Sequence, residues 1–321
     1  MDFLLHTLCL TYNQESYVED TLKGFAMQKT EFPVISIIID DASTDHTAEV
    51  LNRFLNEQFS LDDEDAINKE TDYGHVTFAR HKSNANCFFV VICLKENHYS
   101  KSKRKIKYYK EWTNTKYAAI CEGDDYWMDP LKLQKQVDFL EAHEDYSMCF
   151  TNCIVDRAGK RDYANVTIWD TYTTEDMLLH NSLDMIKRGD HVVSPGHTST
   201  IVYRIPSQGL PKWISKCFIG DEPLFIALSK FGKAKFINEA TSVYRDGIGT
   251  SSKGFSQERD YRNRVKMYEV IDEGFDKKYH RLISSKIISR YYKKLTRIAF
   301  GEKQYFKSIG YFSRFLWTKM F

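Results

Sequence analysis

The chain of 321 residues contains no run of about 18 consecutive apolar residues, the length a membrane-spanning helix needs. Its start, Met1-Asp2-Phe3-Leu4-Leu5-His6, lacks the basic stretch and long apolar core of a secretory leader. Neither sign of charge dominates. The 45 Lys and Arg oppose 44 Asp and Glu, and a net charge of +1 gives no reason to expect a nucleic-acid partner. The seven cysteines are an odd number. Cys149 and Cys153 lie close in sequence, as do Cys87 and Cys93, but neither pair has a second Cys/His pair at zinc-like spacing. Buried free thiols in a reducing, cytoplasmic interior are therefore expected. No internal repeat or low-complexity tract is present.

What is there reads as an alternating α/β chain. Residues 3–11 form an apolar, strand-like run that meets a turn at Tyr12-Asn13-Gln14. Val18, Leu22, Phe25 and Ala26 then recur at helical spacing. Pro33-Val34-Ile35-Ser36-Ile37-Ile38-Ile39 is the continuous β-branched run of a central parallel strand, and Val50, Leu51, Phe54 and Leu55 mark a second helix. Strand–helix–strand–helix predicts a doubly wound, mostly parallel sheet. Residues 60–72 are polar and are expected on a surface loop. Residues 95–110 are basic and are expected as a solvated helix or loop, or as a flap over phosphates. Within that stretch His98 is expected at the surface. Strand 117–121, helix 130–142, and strands at 147–155 and 198–204 follow.

The acids fall where strands end. Asp40 and Asp41 follow one strand. Glu122, Asp124 and Asp125 follow another, within Cys121-Glu122-Gly123-Asp124-Asp125-Tyr126-Trp127. Ligands of open α/β sheets bind beyond the carboxyl ends of the strands. Clustered acids repel one another and resist burial, so they suit a cation. Oxygen donors alone suit Mg²⁺ or Mn²⁺, commonly held by one or two carboxylates plus substrate phosphates. An acidic turn capping the next helix is the plainer alternative. A third acidic point, Gly220-Asp221-Glu222-Pro223-Leu224, opens a helix. Asp221 is either an N-cap or a general base for a hydroxyl.

Taken together, these motifs resemble family 2 glycosyltransferases, which have the GT-A fold. Thr11-Tyr12-Asn13-Gln14 is similar to the family's opening Tyr-Asn motif, and Asp40-Asp41-Ala42-Ser43-Thr44-Asp45-His46-Thr47 to its nucleotide motif. Lys116-Tyr117-Ala118-Ala119 and Glu122-Gly123-Asp124-Asp125 are similar to the strand ending in its Asp-x-Asp metal motif, with Glu122 as the first acid. The family's Gly-rich and Arg-Asn stretch is replaced by Leu94–Tyr99 and the basic run, as in a subgroup associated with bacterial surface polysaccharides.

The resemblance implies a Rossmann-like catalytic domain over residues 1–250, with a nucleotide-binding half 1–128 and an acceptor half 129–250. A basic, aromatic-rich helical extension over 251–321 would follow. It implies that Tyr12 and Asp41, with Thr11 and Asn13 of the same motif, bind the nucleotide. Asp124 is the main ligand of Mn²⁺ or Mg²⁺, Asp125 or Glu122 assists at metal or ribose, and Arg245 lies near the donor phosphates, a structural salt bridge being the alternative for it. Asp221 is the catalytic base. The expected activity is inverting transfer from a nucleotide sugar, uridine-linked, to a hydroxyl of a glycan or lipid-linked acceptor in surface-polysaccharide synthesis. A sugar nucleotidyltransferase is the enzyme alternative, but it would carry a Gly-rich basic loop where Thr11–Glu15 stands. A non-catalytic carbohydrate-binding protein of the same fold is the other. Residues 281–321 hold ten Lys or Arg, one acid and ten aromatics. They are expected as a helical hairpin packed on the rest, as a peripheral contact with the anionic inner face of the membrane, or as both.

Overall fold

The computed structural model describes residues 2–101, 103–164, 170–181, 187–188, 191–192, 196–248 and 256–320. The boundary expected at residue 250 falls outside them. The chain divides into two compact units: Met1–Thr171, Pro195–Ile205 and Gly232–Ile248 form the first, and Tyr172–Ser194, Pro206–Phe231 and Gly249–Phe321 the second.

The first unit is built on one large sheet. Its main strands are β1 (Leu5–Thr11), β2 (Val34–Asp40), β3 (Gly74–His81), β4 (Cys87–Leu94), β5 (Tyr117–Ile120), β6 (Tyr146–Arg157), β7 (Ile201–Arg204) and β8 (Lys233–Arg245), in the order β8-β6-β7-β5-β1-β2-β4-β3. β2 pairs in parallel with β1 on one side and β4 on the other. All seven of its residues are buried, which explains its unbroken β-branched composition. Its alternate side chains enter two cores. Ile38 joins Leu22, Phe25, Leu51, Phe54 and Phe89 on one face, beneath helices α1 (Val18–Ala26) and α2 (Thr47–Gln58), while Ile35, Ile37 and Ile39 pack with Val90 and Ile92 on the other. Helix α3 (Lys132–Ala142) adds Leu133, Val137 and Leu140 to the first core. β5 pairs with β1 in parallel on the side away from β2, so strand order reverses at β1. That reversal is where open α/β sheets form a ligand crevice.

Two local expectations need correction. Residues 60–72 contain a short, largely exposed strand, Ile67–Glu70, paired antiparallel to β3. His98 is buried, at 1% exposure. Its ring bonds the Glu96 carbonyl at 2.8 Å and the Tyr108 hydroxyl at 2.9 Å, because the basic segment folds back onto the sheet.

The second unit is helical: α4 (Thr174–Asn181), α5 (Asp221–Leu228), α6 (Gln257–Gly274), a π-helical stretch Leu282–Ile288 that runs into α7 (Ser289–Gly301), and α8 (Tyr305–Met320). Ser256 caps α6 by accepting the Arg259 N–H. Trp213, Ile226, Tyr268, Ile271, Ile287 and Leu295 share its core. Residues 281–320 thus form a helical hairpin whose inner face is core.

Candidate active site

The carboxyl ends of β1, β2 and β5 meet at one edge. Thr11 stands opposite Asp40 in the β1–β2 register. Beyond β5, the N–H of Cys121 donates to the Leu8 carbonyl and that of Gly123 to Leu10, so the acidic segment runs alongside the end of β1. Gly123 is required there: a Cβ would lie 2.4 Å from Gln14 Oε1 and 2.8 Å from Thr11 Oγ1. Thr21 Oγ1 ties the segment down from α1, donating to the carbonyls of Gly123 and Asp125.

The turn after β1 and the loop after β2 are fastened to each other. Both use left-handed backbone at a non-glycine residue, Asn13 at φ 53° and Ala42 at φ 60°, a conformation that needs support from its surroundings. The Asn13 amide oxygen accepts the Thr44 N–H at 2.7 Å, and its own N–H donates to Ser43 Oγ at 2.8 Å. Gln14 N–H donates to Thr47 Oγ1 at 2.8 Å, and Thr11 Oγ1 to Gln14 Oε1 at 2.7 Å. The polar side chains of Thr11 and Asn13 are therefore engaged within the protein. Tyr12, between them, is half-buried.

Asp41 is buried and well answered. Its carboxylate accepts the backbone N–H of His98 at 2.8 Å and of Tyr99 at 2.9 Å, and Lys105 Nζ stands 3.0 Å away. The basic segment is thus anchored on the nucleotide motif. Lys101 and Lys103 of the same segment both pair with Glu96. Asp40 accepts from Ser43, and burial raises its pKa.

The second acid group differs. Glu122 accepts Thr198 Oγ1 at 2.7 Å. Asp125 is buried and turns inward to accept the Arg245 N–H at 2.9 Å, and burial pushes its pKa well up. Asp124 is half-buried. Burial raises its pKa too, opposed by its own backbone N–H, the Arg245 guanidinium and a Gln14 hydrogen bond. Arg245 is fixed in place. Its guanidinium donates to the Asp124 carbonyl at 2.7 Å and to Asp20, and it stacks over the rings of Tyr126 and Tyr17. The structure therefore gives Arg245 a positioning role for the acidic segment. Beside it, the rings of Tyr244 and His197 stack with centroids 4.0 Å apart.

Among the described residues no group of three or more His, Cys, Asp or Glu is placed to hold a metal ion. The donors at the end of β5 instead fit an oxygen-seeking divalent cation with one or two protein carboxylates. Asp124 would be the nearer ligand, Asp125 would contribute only the oxygen not taken by the Arg245 N–H, and substrate phosphates would complete the shell. The raised pKa of both acids is what a nearby cation would reverse.

In the second unit Asp221 is exposed and is the first residue of α5. Gly220 occupies the cap position, and Asp221 Oδ1 accepts the Glu222 N–H at 2.8 Å. Its neighbour is the opposite case. Glu222 is buried and accepts Arg264 Nη1 at 2.6 Å and the Tyr268 hydroxyl at 2.5 Å, while burial pushes its carboxyl up to about 7. Sequence reasoning singled out Asp221 and missed this buried cluster. Arg264 and Tyr268 sit four residues apart in α6, a spacing that places them on one face, but nothing in the sequence names Glu222 as their partner.

The comparisons with known proteins agree with this reading of the fold. S. aureus TarS 1–349 in complex with UDP-GlcNAc superposes with a TM-score of 0.61 at 15% identity, covering 98% of this chain and 81% of that one. The complex with UDP gives 0.56 at 14% identity, covering 90% and 72%. At such identities the likeness shows the shared GT-A fold. An uncharacterized protein of Mycobacterium tuberculosis and one of Mycobacterium bovis are each 37% identical over 142 residues, 44% of this chain and 32% of each relative. The match spans about a third of the length of those relatives. The model of glycosyl transferase family 2 matches residues 9–197, more than half of the chain, and the chain belongs to that family.

Proposed function

We propose that this protein is an inverting, divalent-cation-dependent glycosyltransferase. It would move a sugar from a uridine-diphosphate sugar to a hydroxyl of a glycan or lipid-linked acceptor in surface-polysaccharide synthesis. The observation that carries the reading is Asp124, a half-buried carboxylate whose pKa burial raises despite the donors around it, at the strand end where a diphosphate would lie. The UDP-GlcNAc bound by TarS on the same fold is the pattern for the donor.

In this reading Tyr12 and Asp41 bind the nucleoside. Asp41 Oδ2 is shared by the Tyr99 N–H and Lys105, whereas Oδ1 accepts the His98 N–H and retains a lone pair for a base N–H. Thr11, Asn13 and Arg245 hold the walls of the donor site, and Glu122 borders it. Asp124 and Asp125 would hold the cation, which when bound would neutralise charge on the leaving diphosphate. The acceptor oxygen bonds to the anomeric carbon as the bond to the diphosphate breaks, and the hydroxyl proton passes to Asp221. A single displacement inverts the anomeric centre and needs one base. Residues 1–250 would carry the catalytic work and 251–321 an added function.

A panel of nucleotide sugars, assayed for hydrolysis and for thermal stabilisation with and without Mn²⁺, tests this. Turnover and stabilisation by one uridine-diphosphate sugar, both dependent on the cation, are expected. Stabilisation without turnover in the presence of any acceptor would leave a carbohydrate-binding protein. Release of diphosphate from a sugar phosphate and a nucleoside triphosphate would make it a nucleotidyltransferase.

A further inference from the structure

α8 has two apolar faces and the protein covers one. On the inner side Phe315 packs with Tyr292, Leu295 and the rest of the helical core, the Ser308 hydroxyl donates to the Thr296 carbonyl, and the Tyr311 hydroxyl donates to Glu258. On the outer side Phe306 is 94% exposed, Ile309 62%, Phe312 48%, Leu316 47%, Trp317 62% and Met320 78%. Intervals of three and four residues with one adjacent pair put all six on one side of the helix. No Lys, Arg, Asp or Glu falls within that arc. Single exposed apolar residues are ordinary on a protein surface, whereas a continuous stripe marks an interaction face.

The charge around the stripe says what it meets. Lys303 and Lys319 are exposed on the leading turn and the last turn of the same helix, and Arg314 is exposed with its guanidinium on the Tyr292 hydroxyl. Over residues 281–320 ten Lys or Arg stand against the single acid Glu302. A second copy of this face would bring like charges together, and an anionic surface would pair them. No helix among the described residues is long and apolar enough to cross a membrane. A 16-residue helix, apolar on one side and basic at its margins, is instead suited to lie in the plane of a bilayer interface.

We propose that the outer face of α8 docks on an anionic lipid surface, with Phe306, Ile309, Phe312, Leu316, Trp317 and Met320 entering the headgroup–acyl boundary. Lys303 and Lys319 contact lipid headgroup phosphates. This docking is independent of the donor chemistry, so its failure would leave the transferase reading standing.

Co-sedimentation of the full chain with vesicles tests it. Vesicles of phosphatidylcholine carrying phosphatidylglycerol should bind the protein, vesicles of phosphatidylcholine alone should not, and added salt should weaken binding. The variant F306S/I309S/M320S should bind at least about tenfold more weakly. Its melting temperature should be unchanged, since exposed side chains contribute little to stability. Should that variant fail to fold, Lys303→Glu with Lys319→Glu provides the same readout through charge. Equal binding to neutral and anionic vesicles, or binding to neither, overturns the proposal. So does a wild-type dimer that the triple variant turns into a monomer without any vesicle binding.

Discussion

The carboxyl ends of β2 and β5 carry two acid groups at one sheet edge, and the two differ in what answers their charge. Asp41 receives two backbone N–H donors and an ammonium. Asp124 receives its own backbone N–H, the Arg245 charge and one amide side chain, yet carries a burial cost that raises its pKa. Hydrogen bonds to the charged form of a carboxylate favour it, and burial disfavours it. The first arrangement fixes a loop, since the basic segment 97–105 is folded onto Asp41. The second leaves a carboxylate suited to a cation. The same contrast recurs one residue apart at the head of α5, where Glu222 is held by Arg264 and Tyr268 while Asp221 faces solvent.

Four substitutions separate these roles, beginning with the largest effect. Asp124→Asn should abolish cation-dependent donor stabilisation and lower transfer by at least about 100-fold, since the charge neutralised at a leaving diphosphate is worth several kcal/mol. Without metal the variant should melt no lower than wild type, because the carboxylate it removes is buried at a cost. Undiminished turnover would remove Asp124 from the metal site. Asp221→Asn should keep donor affinity and lose at least about two orders of magnitude in transfer, the usual share of a general base. A larger loss in Glu222→Gln would show that the roles of the two neighbours are reversed.

Asp41→Asn acts on folding first. It leaves Lys105 without its partner and weakens two buried hydrogen bonds to a charged group, so a destabilisation of about 1.5–3 kcal/mol is expected in denaturant unfolding. Donor affinity should fall with it, whereas Asp124→Asn leaves stability intact. An Asp41→Asn protein as stable as wild type would break the comparison. The smallest effect is a slope. The folded state holds the Glu222 proton more tightly than the unfolded chain, with a pKa of about 7 against an ordinary 4.5. Its contribution to stability therefore declines as pH rises from about 4.5 to about 7. Melting curves across that range should show the decline in wild type and a flatter line in Glu222→Gln.

The sequence made one class of feature readable and hid another. The β-branched run at 34–39, the apolar run before Thr11 and the short strand before Cys121 each stop at polar residues, so the strand ends, and with them Asp41 and Asp124, could be placed from pattern alone. The helices around Leu22, Leu51 and Val137 announced themselves by spacing. What was hidden depends on partners far along the chain. His98 is buried by a loop whose anchors are its own backbone N–H groups, and these leave no trace in side-chain pattern. Arg245 meets Asp20 across most of the first unit's sequence, and Glu222 meets Arg264 and Tyr268 from a later helix. The basic composition of residues 281–321 was visible, but it did not separate the core face of α8 from its exposed one. That distinction requires knowing where α7 lies against it.

The central claim is that Asp124 awaits a cation and Asp41 does not. Calorimetric titration of a uridine-diphosphate sugar into wild type, Asp124→Asn and Asp41→Asn, each with and without Mn²⁺, tests it most directly. Binding by wild type that Mn²⁺ strengthens, weaker binding by Asp41→Asn that Mn²⁺ still strengthens, and binding by Asp124→Asn that Mn²⁺ leaves unchanged are the results predicted. Equal Mn²⁺ enhancement in Asp124→Asn and wild type would contradict the account.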